Sequence, residues 1–150
     1  IVIVSKNVRF CLSEVKLGLL PAVILPYLAR RISSGALRRA MLTARVIDAA
    51  SAASIGLADI VADQSELEAT VRREINLILT NGPEAVKNLK SLFVTVRDDA
   101  SAQSDATKKA IADARVSSEG QLGLASFFAK SKTPWSLELP DEWKLVNDQG

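Results

Sequence analysis

Histidine is absent from these 150 residues, and cysteine and methionine occur once each. Without His, neither a Ser-His-Asp nor a Cys-His nucleophile can be assembled from this chain, and His-ligated metal centres are excluded with them. The single Cys11 rules out an internal disulfide and leaves no ligand set for structural zinc, so no metal site is expected. One unpaired cysteine fits a reducing compartment, and a cytoplasmic location is expected. The opening Ile1-Val2-Ile3-Val4 carries no charged leader and is too short to span a bilayer, so neither a signal peptide nor membrane association is expected. Lys and Arg exceed Asp and Glu by only 19 to 17, too little to indicate a nucleic-acid partner. Chemistry is left to carboxylates, hydroxyls, lysines and backbone amides.

Acidic residues are also scarce where the chain begins. Glu14 is the only acid in the first 47 residues, while Lys16, Arg30, Arg31, Arg38, Arg39 and Arg45 precede the next one, Asp48. A structural carboxylate here would cap a helix or pair with one of those bases. A functional one would be aimed from a loop into a cleft, poised for proton transfer. Position alone leaves both readings open.

The chain has the length of one ordinary domain, and 48% hydrophobic residues suit a globular fold. Ile1–Val4 has the character of a buried strand cut open, which suggests that the sequence starts inside a longer protein. A second strand is expected at Val8–Leu12, after a turn at Ser5-Lys6-Asn7. Gly18, Pro21 and Pro26 break the apolar run from Leu17 onward. A short helix is expected over Tyr27–Ile32, interrupted at Ser33-Ser34-Gly35, and another over Ala36–Thr43. Asp48 suits the cap of an Ala/Ser helix ending at Gly56, followed by a strand at Leu57–Val61. Ser65 and Glu68 have capping-box spacing, with Leu67, Val71, Ile75, Ile78 and Leu79 on one face beyond them. Asn81-Gly82 ends that helix and Pro83 begins the next, whose apolar stripe is Val86, Leu89, Phe93 and Val96. After a polar connection from Asp98 to Ser104, helices are expected from Ser104 to Val116 and from Ser118 to Lys130. An irregular tail follows Thr133.

Two further patterns have competing explanations. The arginine-rich, acid-poor stretch suits phosphate binding, because guanidinium groups make bidentate phosphate contacts. Arg30-Arg31 and Arg38-Arg39 equally suit solvated helix faces. Phe127-Phe128-Ala129-Lys130-Ser131-Lys132 suits a helix end with Phe in the core and Lys near the C-terminus. No phosphate-loop motif surrounds Gly120 and Gly123.

Phe10-Cys11-Leu12-Ser13-Glu14-Val15-Lys16-Leu17-Gly18-Leu19-Leu20-Pro21 resembles the F-x-x-P/S-E-x-x-L-G-x-x-P segment of the crotonase (enoyl-CoA hydratase/isomerase) superfamily. The order downstream agrees. Ala40 to Ala49 resembles the family's "LTG-x-x-x-x-A" element with Ala44 in place of Gly, and Ile55-Gly56-Leu57-Ala58 resembles its "GLV" strand entry. Ser118 to Phe127 resembles the "S-x-E-G-x-x-A-F" terminal helix. The likeness covers about residues 1 to 135. Pro21-Ala22-Val23-Ile24 and Pro26-Tyr27, in place of the commoner Gly-Gly-Thr-Gln run, are similar to hydratases resembling methylglutaconyl-CoA hydratases.

The resemblance implies an α/β fold of the crotonase ββα-spiral type, represented by its C-terminal part: two short strands, then a mainly helical region. Residues 1–62 would end the spiral core, 63–132 form the helical trimerisation region, and 133–150 the tail. It also implies reversible syn hydration of an α,β-unsaturated acyl-CoA. Glu14 matches one of two glutamates that share the reacting water, and Ala22, following Pro21, matches a position whose backbone amide helps hold that water. Phe127, Lys130 and Lys132 match a region that approaches the CoA of a neighbouring subunit. No cofactor is implied, since coenzyme A enters with the thioester substrate, and the expected assembly is a homotrimer or hexamer. In the family's order the other glutamate and the two oxyanion amides precede Ile1, so these residues alone are expected to lack turnover. Other crotonase reactions, isomerisation or thioester hydrolysis, remain alternatives, as does a non-catalytic assembly module.

Overall fold

The computed structural model describes residues 1–98 and 103–145, which fall into two compact units, Ile1–Val71 and Arg72–Gly150.

In the first unit, β1 (Ile3–Ser5) does not pair with its neighbour β2 (Arg9–Phe10). Instead β1 runs parallel to β4 (Ile60–Ala62), with Val4 opposite Val61, and β2 lies antiparallel to β3 (Ile47–Asp48). The expected turn is present, with the Val8 amide donating to the Ser5 carbonyl at 3.1 Å. Both predicted strands are shorter than their apolar runs, and the third starts at Ile60 rather than Leu57. The Leu57 and Ala58 amides both donate to the Ala52 carbonyl, which keeps them out of the ladder.

Between the strands lie α1 (Leu25–Ala29), α2 (Ser34–Thr43) and α3 (Ala49–Ser54). The expected interruption at Ser33-Ser34-Gly35 is in fact a helix start. Ser33 is extended and its hydroxyl accepts from the Ala36 amide at 3.4 Å, so Ser34 and Gly35 enter the helix. Asp48 caps α3 as its position suggested, accepting from the Ser51 amide at 2.7 Å, and Gly56 is left-handed at φ +78°. The core is made of small residues. Val4, Ala40, Ile47, Ala49, Ala52 and Ala58 are buried together, with Val2, Phe10, Leu12 and Leu57 packed around them. Ala49 and Ala52 let α3 lie closely on β3 and β4, which is the packing reason for the Ala/Ser composition.

Helix α4 (Leu67–Leu79) follows a 3-10 turn, Gln64–Glu66. Ser65 lies inside that turn rather than at the helix boundary, so the predicted capping box is not formed. Among the described residues, no helix is long and apolar enough to cross a membrane.

The second unit contains α5 (Pro83–Asp98), α6 (Gln103–Val116) and α7 (Ser118–Phe128). Pro83 opens α5 as expected. Ser104 is within α6, not ahead of it, and part of the predicted polar connection lies outside the described residues. The cap of α7 is Ser117, whose hydroxyl accepts from the Gly120 amide at 3.0 Å, one residue before the predicted start. Leu89 and Phe93 of the predicted α5 stripe are 63% and 65% exposed, so that face is uncovered in this chain. The tail after Thr133 is irregular, as expected, and runs back along α4. There the Leu137 amide donates to the Leu79 carbonyl and the Leu139 amide to Asn76 Oδ1.

Candidate active site

Glu14 opens a 3-10 turn, Glu14–Leu17, that follows β2 after three residues of loop. The turn is tied by the Lys16 amide to the Ser13 carbonyl at 2.9 Å and by the Leu19 amide to the Glu14 carbonyl at 3.0 Å. Gly18 closes it in a left-handed conformation, φ +71°, that an L side chain adopts only at a cost. These bonds fix the Glu14 backbone but use none of its carboxylate.

The carboxylate itself is half-buried, and its Oε2 is enclosed with no hydrogen-bond partner among the described residues. Lys16, two residues on, is exposed, and among the described residues Glu14 forms no ion pair. The structural explanations for a lone acid, a helix cap or a surface ion pair, therefore fail for Glu14. An enclosed carboxylate oxygen without a donor costs about 1–3 kcal/mol in desolvation. Native structures retain few such groups, and function is a common reason.

Pro21 is buried and Ala22 exposed. The two form a tight turn in which the Ala22 amide donates to the Leu20 carbonyl at 2.8 Å. The amide that the resemblance assigns to water is thus engaged within its own loop, and holding a water requires that bond to open. The Pro21 carbonyl accepts from the Leu25 amide at 3.1 Å, which leads directly into α1.

An apolar cavity of about 250 Å³ lies between β2 and the helices α1 and α2, lined by Phe10, Cys11, Leu12, Leu28, Ile32 and Ile47 among others. Its walls come from positions far apart in the chain, and no local pattern announced it.

Phe127, Lys130 and Lys132 belong to the second unit. Helix α7 ends there as predicted, but the Phe side chains are not in a core: Phe127 and Phe128 are each 76% exposed and pack edge to face at 5.6 Å. Lys130 is left-handed at φ 52°, and its amide donates to the Phe127 carbonyl. Lys132 lies beyond the helix end, exposed. Among the described residues, no group of three or more Cys, Asp or Glu is placed to hold a metal ion.

A parallel strand pair with intervening small-residue helices, and a carboxylate turn ahead of the first helix, form part of an α/β fold of the crotonase type. The family model for enoyl-CoA hydratase/isomerase matches residues 1–138, and the chain belongs to that family. It is 37% identical over 121 residues to the enoyl-CoA hydratase ACTT6 of Alternaria alternata, covering 79% of this chain and 40% of that protein. A short-chain-enoyl-CoA hydratase of Clostridium acetobutylicum is 39% identical over 86 residues, 57% of this chain and 33% of the relative. Among solved structures, an enoyl-CoA hydratase from Shewanella pealeana superposes with a TM-score of 0.79 at 40% identity, over 89% of this chain and 50% of that one. Pseudomonas aeruginosa AtuE superposes at 0.83 and 31% identity, over 90% and 53%. The chain thus spans about half the length of these solved structures and less of the curated relatives.

Proposed function

We propose that these residues supply one half of an enoyl-CoA hydration site, with Glu14 as its acid/base. The observation that carries this reading is the enclosed, unpartnered Oε2 of Glu14 at the head of a closely tied turn. In the forward direction, the water oxygen bonds to Cβ of the enoyl thioester and the Cα–Cβ π pair moves toward the thioester oxygen as an enolate. A carboxylate accepts the proton that the water loses, and Cα takes up a proton as the enolate collapses. Glu14 holds one of those protons at its free oxygen. By the family resemblance, the second glutamate and the two amides that stabilise the enolate come from segments preceding residue 1 in the family's order. Such oxyanion donors are each worth roughly 10²- to 10³-fold in turnover. These 150 residues by themselves are therefore expected to lack measurable hydration. Phe127, Lys130 and Lys132 contribute an apolar and cationic edge suited to CoA. A trimeric or hexameric assembly and a cytoplasmic location belong to the same reading, as does a preference for branched glutaconyl thioesters.

Hydration of crotonyl-CoA and a branched glutaconyl-CoA by the complete coding sequence, with Glu14 intact and as Glu14→Gln, tests the proposal. The substitution should lower kcat by roughly 10²- to 10⁴-fold and leave acyl-CoA binding in place. Equal turnover by the variant, or an intact protein that binds no acyl-CoA, would sink it.

A further inference from the structure

Of the bases that separate Glu14 from Asp48, the structure engages Arg31 fully, through the Leu57 carbonyl and the Asp59 carboxylate. Arg30, just past α1, and Arg38 are exposed, and so are Arg39 and Arg45. What distinguishes Arg39 and Arg45 is the surface between them. With Ser51 and Ser54 of α3 they line one cavity of about 260 Å³, floored by the buried Ala40 and Ile47. Left-handed Ala44, φ 45°, ends α2 between the two arginines. Among the described residues, neither guanidinium makes a hydrogen bond or an ion pair.

Asp48 follows Ile47 in the chain and bonds Ser51, two residues that do line the cavity. Its pKa is lowered chiefly by its bonds to Ser51, with smaller contributions from the charges of Arg9 and Arg45. It is committed to capping α3 through the Ser51 amide at 2.7 Å and does not pair with Arg45. The Ser54 hydroxyl donates to the Ser51 carbonyl at 2.8 Å and can rotate toward a ligand in the cavity. Two unpartnered guanidinium groups above an apolar floor present charge for one anionic group and dry surface for whatever it is attached to.

We propose that this cavity binds a phosphate monoester. Arg39 and Arg45 grip the phosphate oxygens, the Ser54 hydroxyl adds a donor, and the organic group rests on Ala40 and Ile47. Guanidinium favours phosphate over a spherical anion because its planar donors match two oxygens at once. The organic group separates such a ligand from free phosphate, since only the ester uses the apolar floor. Ala40 and Ile47 also line the apolar cavity beside β2, but Arg39, Arg45, Ser51 and Ser54 do not, so a failure to bind here leaves the Glu14 reading untouched.

Titration of the 150-residue chain, followed by amide NMR at constant ionic strength, decides this with phenyl phosphate, inorganic phosphate, coenzyme A and chloride as probes. Phenyl phosphate should give saturable shifts at the amides of Arg45 and Ser51 to Ile55, with inorganic phosphate binding more weakly at the same residues. Arg39→Gln and Arg45→Gln should each weaken binding about tenfold or more, while Arg38→Gln on the same helix should not. Circular dichroism checks that all three variants remain folded. If coenzyme A saturates the same amides with the same arginine dependence, the ligand is the 3′-phosphate of the substrate carrier. If only the small ester does, it is a separate metabolite. Non-saturating shifts shared with chloride, or equal losses in all three variants, would overturn the proposal.

Discussion

The Cys11 thiol donates to the carbonyl of Ala44, 33 residues further along the chain, at 3.3 Å. Ala44 is buried and left-handed, φ 45° and ψ 36°, where the family element it resembles has Gly. An L residue in that conformation carries roughly 1–2 kcal/mol of strain. Replacing it with Gly removes the strain but also loses a buried methyl worth about 0.8 kcal/mol and adds unfolded-state entropy. Ala44→Gly should therefore be close to neutral. Ala52→Gly removes an equally buried methyl from the right-handed helix α3, with nothing to offset it, and should cost about 1.5–2 kcal/mol. Urea unfolding of both variants measures the difference. Equal losses would show that Ala44 is not strained.

Acid stability should depend on Asp59. Its Oδ2 accepts from the Val2 amide at 2.6 Å and from Arg31 at 2.7 Å, and its pKa is lowered first by the Val2 bond and then by Arg31. A carboxylate whose folded pKa is depressed contributes stability that is fully present above its unfolded value and lost as pH falls through the folded one. The loss should begin below about pH 5 and grow toward about pH 3. Asp59→Asn should lower the melting temperature near neutrality and flatten its fall below pH 5. Asp48, lowered by its Ser51 bonds, acts in the same direction, so the acid limb should shrink without vanishing. Melting curves that steepen at low pH in Asp59→Asn would contradict the assignment.

Glu119 caps a helix other than its own. Gly82 precedes α5 and has no side chain to offer, while the Glu119 carboxylate accepts from the Glu84 and Ala85 amides at 3.0 and 2.8 Å. Glu119→Ala should cost about 1–2 kcal/mol, the usual value of a lost N-cap. A Cβ at Gly82 would collide with Glu119 Oε1, so Gly82→Ala displaces the same cap. The double variant should thus lose less than the sum of the singles, a coupling that thermal unfolding of the four proteins reads directly. Strict additivity would exclude the cap.

How far the sequence disclosed all this varies with range. Glu14 is marked in the sequence by its isolation among bases and by the family likeness of Phe10 to Pro21, while the 3-10 turn that carries it had no expectation. Asp48 and Pro83 were legible because each acts on its near neighbours. The α7 start at Ser118 was legible, but Ser33, expected as part of an interruption with Ser34 and Gly35, is a cap because it is extended there, at ψ 147°. The pairing of Ile3 with Ile60 and the anchoring of Arg31 on Leu57 are long-range relationships with no local signature. Glu119-Gly120 belongs to the stretch that resembles the family's terminal helix. Its physical content, a cap on α5 and a position where a Cβ would meet the Ala114 carbonyl, needed coordinates.

The turn that holds Glu14 should be sensitive to Gly18. Nothing lies within 4 Å of a Cβ placed there, so Gly18→Ala meets no clash and its cost is the left-handed backbone alone, about 1 kcal/mol. If the turn instead relaxes toward negative φ, the Leu19 amide leaves the Glu14 carbonyl and the carboxylate moves. On the hydratase reading, kcat in the complete protein should fall several-fold or more with little change in KM, because acyl-CoA contacts elsewhere are untouched. Unchanged kcat would mean that the turn does not position Glu14.

Arg72 should decide whether the tail stays docked. Its guanidinium donates to the carbonyls of Pro140 at 2.8 Å, Asp141 at 3.1 Å and Trp143, and lies over the Trp143 ring at 5.6 Å. Several carbonyls converging on one planar cation use most of its five donors, and the ring adds a cation–π contact of about 0.5–1 kcal/mol. Lys keeps the charge but not the fork, so Arg72→Lys should already release much of the tail. Asn76 would still hold the Leu139 amide at 2.8 Å, which localises the release to the residues beyond it. Amide exchange should therefore rise at Glu142 to Leu145 and change little at Leu139. Trp143 should quench more readily with acrylamide in Arg72→Lys, and Trp135 should not. If both tryptophans kept their accessibility in that variant, Arg72 would not be what holds the tail.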